Sequence, residues 1–517
     1  MSGKQLTILA VLIVYMLANM FLGIYMSRKS ARENEKKGFL QNYFMGSRSM
    51  GGLVLAMTLV ATYTSASSFL GGPGLAASWG LTQSWVAAIQ IGTAFLTLGI
   101  IGKKFALISR RIGAVTITDY FKTRYDSPVV VILCGICLVV FFLTQMIAQF
   151  IGGATLVTSV TGLPYWTALS LFAAVVILYT SIGGFKAVVI TDTFQGIIMT
   201  IGTFLLLFFV IRAGGGMEHL TAQLDAANPG WNLLGKGEFG RDVIALSPGY
   251  LISFWILVGV GTLGLPQTAV RGMGFKDTQS MHKAMIYGTV VVGILMIGMH
   301  FAGALTLPLL PEEGIASTDQ VIPYVVLNYM PPLAAGMFLA APLAAVMSTV
   351  SSLLILASAT IIKDLYLTYI VRSAQLPENR ASDGETENRT ALRAGAEKKL
   401  PVYSLIITIV LGALVFLLSL SPPDIIVWIN LFAMGGLEAT FFWPIIGGLY
   451  WKKGNSACCI SSILVGVATF IFFNQVKIAP FHIHEIVFGL AAGGAAYFIT
   501  GFLTNREPDP EMLKKCF

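Results

Sequence analysis

GGLVLAMTLVATYTSASSFLGGPGLA, residues 51–76, decides how the rest of the chain is read. No Asp, Glu, Lys or Arg occurs from Ser49 to Gly102, so the segment belongs in a low-dielectric place. Its middle is nonetheless polar: Thr62, Tyr63, Thr64, Ser65, Ser67 and Ser68 all carry hydroxyls. Gly71, Gly72, Pro73 and Gly74 follow, and such residues weaken a helix by removing a donor or adding backbone entropy. Within lipid, non-helical backbone persists only where protein or a water-filled cavity covers it. The stretch therefore reads as a discontinuous membrane helix whose freed carbonyls and hydroxyls hold something small. The competing reading is a Gly/Ser-rich helix packed closely on a neighbour.

Composition agrees with a membrane location. The 517 residues are 56% hydrophobic and 11% charged, with a mean hydropathy of +0.78. That is the profile of an all-α polytopic membrane protein. The net charge of +8 does not call for nucleic acid, because Lys and Arg gather in the cytoplasmic loops of such proteins. Cys134, Cys137, Cys458, Cys459 and Cys516 show no zinc-type spacing and no disulfide framework. The first apolar run is too long for a signal-peptide core and reads as a retained span.

Runs long enough to cross a bilayer fall near 5–26, 51–76, 81–102, 128–160, 163–182, 186–211, 247–270, 284–310, 332–362, 402–420, 424–450, 455–475 and 484–504. Thirteen spans put the termini on opposite sides. With the N-terminus outside and the C-terminus cytoplasmic, only Lys4, Arg212, Lys236, Arg241 and Lys477 of the 33 Lys and Arg lie outside, as the positive-inside rule requires. Residues 366–400 form the longest inner loop and read as a flexible connector, and 212–246 form an outer loop. The sequon at Asn388 would then face the cytoplasm and carry no glycan.

A second interrupted span occurs at 247–270, broken by Gly259, Gly261, Gly264 and Pro266. Interrupted spans at corresponding places in two halves point to a transporter built on an inverted repeat. Spans 2–6 (about 51–211) form one half and spans 7–11 (about 247–450) the other, within one transporter domain, with spans 1, 12 and 13 outside the repeat.

The ninth span carries Ala345, Ser348 and Thr349 at i, i+3 and i+4, so they share a face. With two carbonyls from the break near Ala61 and Thr64, five neutral oxygens would surround one site. That donor set suits sodium rather than a tightly held divalent ion. The alternative is that both hydroxyls bond back to their own helix. Ionisable residues inside spans are functional candidates. Asp192 attracts a cation at the vestibule, hydrogen-bonds across helices, or is an interfacial helix-start carboxylate. Glu438 reads as structural or as part of an inner vestibule, His300 as a core histidine, and His482 with His484 as a weak metal pair. Arg271 is expected at the inner mouth. No nucleotide loop, catalytic set or charged pore is present, which argues against ATP-driven transport, enzyme and channel.

LYTSIGGFKAVVITDTFQG (178–196) and AAVMSTVSS (344–352) resemble motifs of the sodium:solute symporter family, and the likeness extends over nearly the whole chain. Residues 42–74 and GLPQTAVRGMGFKD (264–277) are similar to its pantothenate branch. The resemblance implies a leucine-transporter-like 5+5 fold in the plasma membrane. It implies a sodium ion held by Ala61, Thr64, Ala345, Ser348 and Thr349, with Asp192 linked to sodium use. Proline carriers of the family have Asp where this chain has Tyr63, which speaks against proline. A pocket for a small organic carboxylate such as pantothenate is expected from Tyr63, Ser65, Ser67, Ser68, Trp255, Thr262 and Gln267. Another small carboxylate or a sugar, proton coupling, and a membrane-embedded sensor are the competing functions.

Overall fold

The computed structural model describes residues 2–37, 50–233, 247–311, 314, 315, 317–371, 383–421, 426–476 and 480–517. In chain order the principal helices are α1 (Gly3–Lys37), α2 (Gly52–Tyr63), α3 (Ser67–Trp79), α4 (Leu81–Ile112), α5 (Ile117–Tyr125), α6 (Pro128–Thr161) and α7 (Tyr165–Ala213). They continue as α8 (Met217–Ala227), α9 (Leu251–Gly264), α10 (Pro266–Met273), α11 (Thr278–Ala304), α12 (Val321–Tyr329) and α13 (Pro332–Thr368). The last are α14 (Asp383–Leu418), α15 (Ile426–Tyr450), α16 (Ser456–Val476), α17 (Glu485–Thr504) and α18 (Pro510–Cys516). Among the described residues the β pairing consists of one isolated bridge, Met50 to Phe275. The fold is all-helical, as expected.

Ten described helices are long and apolar enough to cross a membrane, or up to twelve with each bent pair taken as one span. The difference from thirteen lies in α7. The expected spans 163–182 and 186–211 form this one element of 49 residues, interrupted at Gly184 (φ 66°, ψ 179°). At 1.5 Å per residue a helix of that length would run about 73 Å, more than twice the hydrocarbon core. Only glycine takes such a backbone conformation without strain.

Both expected interruptions are present. α2 and α3 meet at 75° across Thr64, Ser65 and Ala66, and α9 and α10 meet at 45°. The start of the first pair is joined to the end of the second: Met50 N donates to Gly274 O at 3.2 Å, and Lys276 N donates to Met50 O at 3.0 Å.

Burial orders the bundle. The most apolar window of α13 is 100% buried and that of α15 is 78%, whereas those of α1, α16 and α17 are 28, 33 and 39%. α13 is therefore the axis, and α1, α16 and α17 are peripheral. Lipid is as apolar as leucine, so close helix contact in the core comes from small residues and polar contacts rather than from hydrophobic exclusion. α13 is accordingly rich in Ala and Ser.

Two expectations about connectors change. The described parts of 366–400 are helical, since the helix following Ala359 runs to Val371 and α14 starts at Asp383; residues 372–382 lie outside the described residues. The outer loop 212–246 contains α8, and its residues 234–246 also lie outside.

Candidate ion and substrate site

α2 stops at Tyr63 because Thr64 takes extended backbone (φ −74°, ψ 135°). The chain re-enters a helical path at Ser67 through a widened turn. The three-residue gap is anchored to two neighbouring helices. Gln149 of α6 accepts from the Ala66 amide at 2.9 Å, and its side-chain amide donates to Asn430 of α15 at 3.2 Å. Asn430 donates to Ser67 Oγ at 3.0 Å, and the Ser65 and Ser67 hydroxyls meet at 2.7 Å.

On the other side of the gap lies α13. Ser348 Oγ donates to Ala61 O at 2.8 Å, and Thr349 Oγ1 donates to Thr64 O at 2.9 Å. Both hydroxyls are also within reach of Ala345 O, at 3.0 and 2.9 Å. The five oxygens expected of a sodium site thus converge, and all five residues are buried. The self-bonding alternative describes half of the geometry, since each hydroxyl is shared between its own helix and α2. Thr64 Oγ1 is buried without a partner. Neutral oxygens in a buried cluster fit an alkali cation. Among the described residues no group of three or more His, Cys, Asp or Glu side chains is placed to hold a metal, so the weak metal reading of His482 with His484 gains no such group.

One helical turn further along α13, Ser352 joins a buried ionic cluster. Arg271 Nη2 of α10 lies 3.1 Å from Asp192 Oδ2 of α7, with side chains 1% and 0% exposed. Arg271 also donates to Thr62 Oγ1 at 3.1 and 3.0 Å and to Ser352 Oγ, and it covers the Phe185 ring. Thr58 Oγ1 donates to Asp192 Oδ2 at 2.7 Å. Asp192 takes the expected alternative of hydrogen bonds across helices and is not an interfacial helix-start carboxylate; the expectation for Arg271 is corrected, since it is buried in this cluster and not at a mouth. Each supplies the countercharge that makes burial of the other tolerable.

A cavity opens on the opposite face of the break. Tyr63, Ser65, Ser67, Ser68 and Gly72 line it together with Gln83 and Gln90 of α4, Phe254 and Val258 of α9, His300 of α11, and Asn430 and Met434 of α15. Four of the seven residues expected at the substrate pocket are present. Trp255, Thr262 and Gln267 are not among its lining residues. Trp255 stacks on Trp85 at 4.2 Å, Thr262 donates to Gly259 O within its own turn, and Gln267 donates to Gln145 of α6 at 3.3 Å. These contacts keep Thr262, in the turn before the bend, and Gln267, in α10 after it, out of the cavity lining.

Gln90, His300 and Asn430 escape a reading by pattern, because each is a single polar residue in an apolar run; Gln83 stands between Thr82 and Ser84, with no spacing that points to the cavity. His300 lines the cavity while its Nδ1 lies 2.7 Å from Met296 O. No charged side chain lines the cavity among the described residues.

Near the C-terminal end of α13, α5 is clasped to it. Asp119 caps its own helix through a capping box with Thr116 and pairs with Lys363. Thr116 and Thr118 donate to Asp364. Burial raises the Asp119 carboxyl, but the Lys363 charge and hydrogen bond and the amides of Val115 and Thr116 outweigh it. The net position is below the ordinary carboxylate value.

Comparison with known proteins places this geometry. The model of the sodium:solute symporter family matches residues 43–383 and 388–466. The chain is 43% identical over 509 residues to a sodium/pantothenate symporter of Escherichia coli, covering 98% of this chain and 99% of the relative. It is 43% identical over 479 residues to one of Haemophilus influenzae, covering 93% of each. An osmoregulated proline transporter of Bacillus subtilis is 27% identical, covering 95% of this chain and 94% of the relative. The solved structure of a Na+-coupled sialic acid symporter superposes with a TM-score of 0.72 at 18% identity, covering 97% of this chain and 98% of that one. A nucleobase-cation-symport-1 family transporter superposes with a TM-score of 0.53 at 14% identity, covering 92 and 97%. The fold is the leucine-transporter-like one, and the chain belongs to the sodium:solute symporter family.

Proposed function

We propose that this chain imports pantothenate together with sodium across the plasma membrane by alternating access. The observation that carries the reading is a shared segment. Thr64 contributes its carbonyl to the five-oxygen cluster, and the next residues, Ser65 and Ser67, line the cavity. An ion seated between α2 and α13 would fix the backbone of the gap and so the orientation of both serines. Binding of each partner then favours the other, because both draw on the same ordering cost.

The cavity suits a small polar anion. Hydroxyls, two glutamines, an asparagine and a histidine can meet hydroxyl, amide and carboxylate groups. In place of a lining cation, the neighbouring sodium and the amide-rich start of α3 supply positive potential. Pantothenate is favoured because the two 43% identical relatives carry that substrate in their names. Sodium is carried inward down its gradient, and the potential adds about 2.3 kcal/mol per charge per 100 mV.

The proposed topology has thirteen passes, the N-terminus outside and the C-terminus in the cytoplasm. It is supported by the break at Gly184 and by the Lys and Arg distribution. The inverted repeat pairs about 51–211 with about 247–450, one bent span in each.

The test is uptake of labelled pantothenate into proteoliposomes under an inward sodium gradient, against an equal potassium gradient. Accumulation with sodium alone is expected. Absence of uptake in both, with sodium-stimulated binding of another carboxylate or a sugar, would replace the substrate. Substrate binding without movement would favour a sensor.

A further inference from the structure

Glu438 stands at the midpoint of α15 with no exposed surface. Neither of its carboxyl oxygens has a hydrogen-bond partner. It presses on the break of the second bent span: a Cβ built on Gly261 would lie 2.2 Å from Glu438 Oε2 and 2.9 Å from Ile256 O. Gly261 belongs to the tight turn Val260–Gly264, immediately before the bend into α10.

The function proposed above gives this carboxyl no task. The five-oxygen cluster is built from α2 and α13, and the cavity lining on α15 reaches Met434, one turn before Glu438 on the same face. An ionised carboxylate at mid-span gives up its hydration and needs compensation. Among the described residues no basic partner is supplied: neither carboxyl oxygen has a partner, and Arg271 is committed to Asp192. An alkali ion needs a shell of several oxygens, and glycine backbone fills the space where that shell would stand. A proton needs one oxygen and no additional volume.

We propose that Glu438 is a proton-binding site seated on the α9–α10 hinge, loaded in the arrangement seen here and emptied when the hinge opens. Loading transfers a proton from water to one carboxyl oxygen. Opening of the turn admits water, which takes the proton back and hydrates the carboxylate. Substrate bonds are untouched. The titratable group within electrostatic reach is Tyr63 of α2, whose hydroxyl donates to Val258 O at 2.7 Å. Cys134 and Cys137 of α6 and Cys459 of α16 lie along the same helix, Cys137 beside Thr440. Arg124 and Tyr125 of α5 and Tyr497 of α17 gather near Pro444–Gly454, towards the inner end.

The release step rests on alternating access, but the loaded state does not, so the test has two arms. Difference infrared spectra of the full chain in lipid at neutral pH compare wild type with Glu438→Gln and Glu438→Asp. A protonated-carboxyl band is expected in wild type, lost in Gln and displaced in Asp. No band assignable to Glu438 would overturn the proposal, as would a band abolished by sodium in place of acid. In proteoliposomes with a fixed sodium gradient, wild-type uptake should change severalfold with pH, and that dependence should be lost in Glu438→Gln while sodium-driven uptake persists. An identical pH profile in both proteins would overturn the coupling. Failure of uptake in wild type would count against the transport reading alone, with the infrared arm still deciding the site.

Discussion

Ser348 and Thr349 each bridge α13 to one carbonyl of the α2 break, so each hydroxyl connects the candidate ion cluster to the helix gap. Ser348→Ala or Thr349→Ala removes one of five donors. Losing about 1.4 kcal/mol of ion binding corresponds to tenfold in affinity. We expect the apparent sodium constant for uptake to rise by about that factor or more in either variant, with near-normal uptake at saturating sodium; sodium titration of initial rates checks this. The Asp192–Arg271 pair answers to a different measurement. Removing one partner of a buried pair typically costs about 3–5 kcal/mol because the other is stranded. Asp192→Asn and Arg271→Gln should each lower the melting temperature in detergent, and the double variant should lose less than the sum of the two. Additive losses would mean that the residues are not coupled.

At the scale of the element, glycine marks where helices bend. Gly184 sits at φ +66° within α7. Gly184→Ala forces a residue with a side chain into a region adopted almost only by glycine and costing roughly 1–3 kcal/mol, and a fall in melting temperature of the purified protein would register it. The α5–α13 clasp carries a pH prediction. Because the Asp119 carboxyl is held below its ordinary value, its contribution is complete above the unfolded carboxylate pKa. It disappears as pH falls through the lower folded value. Hydrogen exchange of α5 should therefore quicken below the ordinary carboxylate range. Asp119→Asn should already show the faster exchange at neutral pH.

For the whole molecule, the proposed orientation predicts that an N-terminal tag is cleaved by protease added to intact cells, and that a C-terminal tag is cleaved only after permeabilisation. The reverse pattern would invert every inside and outside assignment. The number of passes depends on the same measurement, because the odd count requires α7 to cross twice.

The sequence by itself determined the class of fold and pointed to the five residues whose oxygens the structure brings together. Apolar run lengths follow from bilayer thickness, and broken spans follow from glycine and proline. The cluster of Ala345, Ser348 and Thr349 follows from helical periodicity, since all of these signals are local along the chain. Tertiary structure decided what locality leaves open. Asp192 and Arg271 are 79 residues apart, and only packing shows that each neutralises the other. Asn430, Gln90 and His300 are isolated polar residues and Gln83 stands between Thr82 and Ser84; all four are made neighbours of the serines by the crossing of four helices. Thr262 and Gln267 are predicted in the cavity because they flank the second break, and packing instead gives Thr262 to Gly259 O and Gln267 to Gln145. A break in a helix is written in residue types; the direction of its two halves is set by what they pack against.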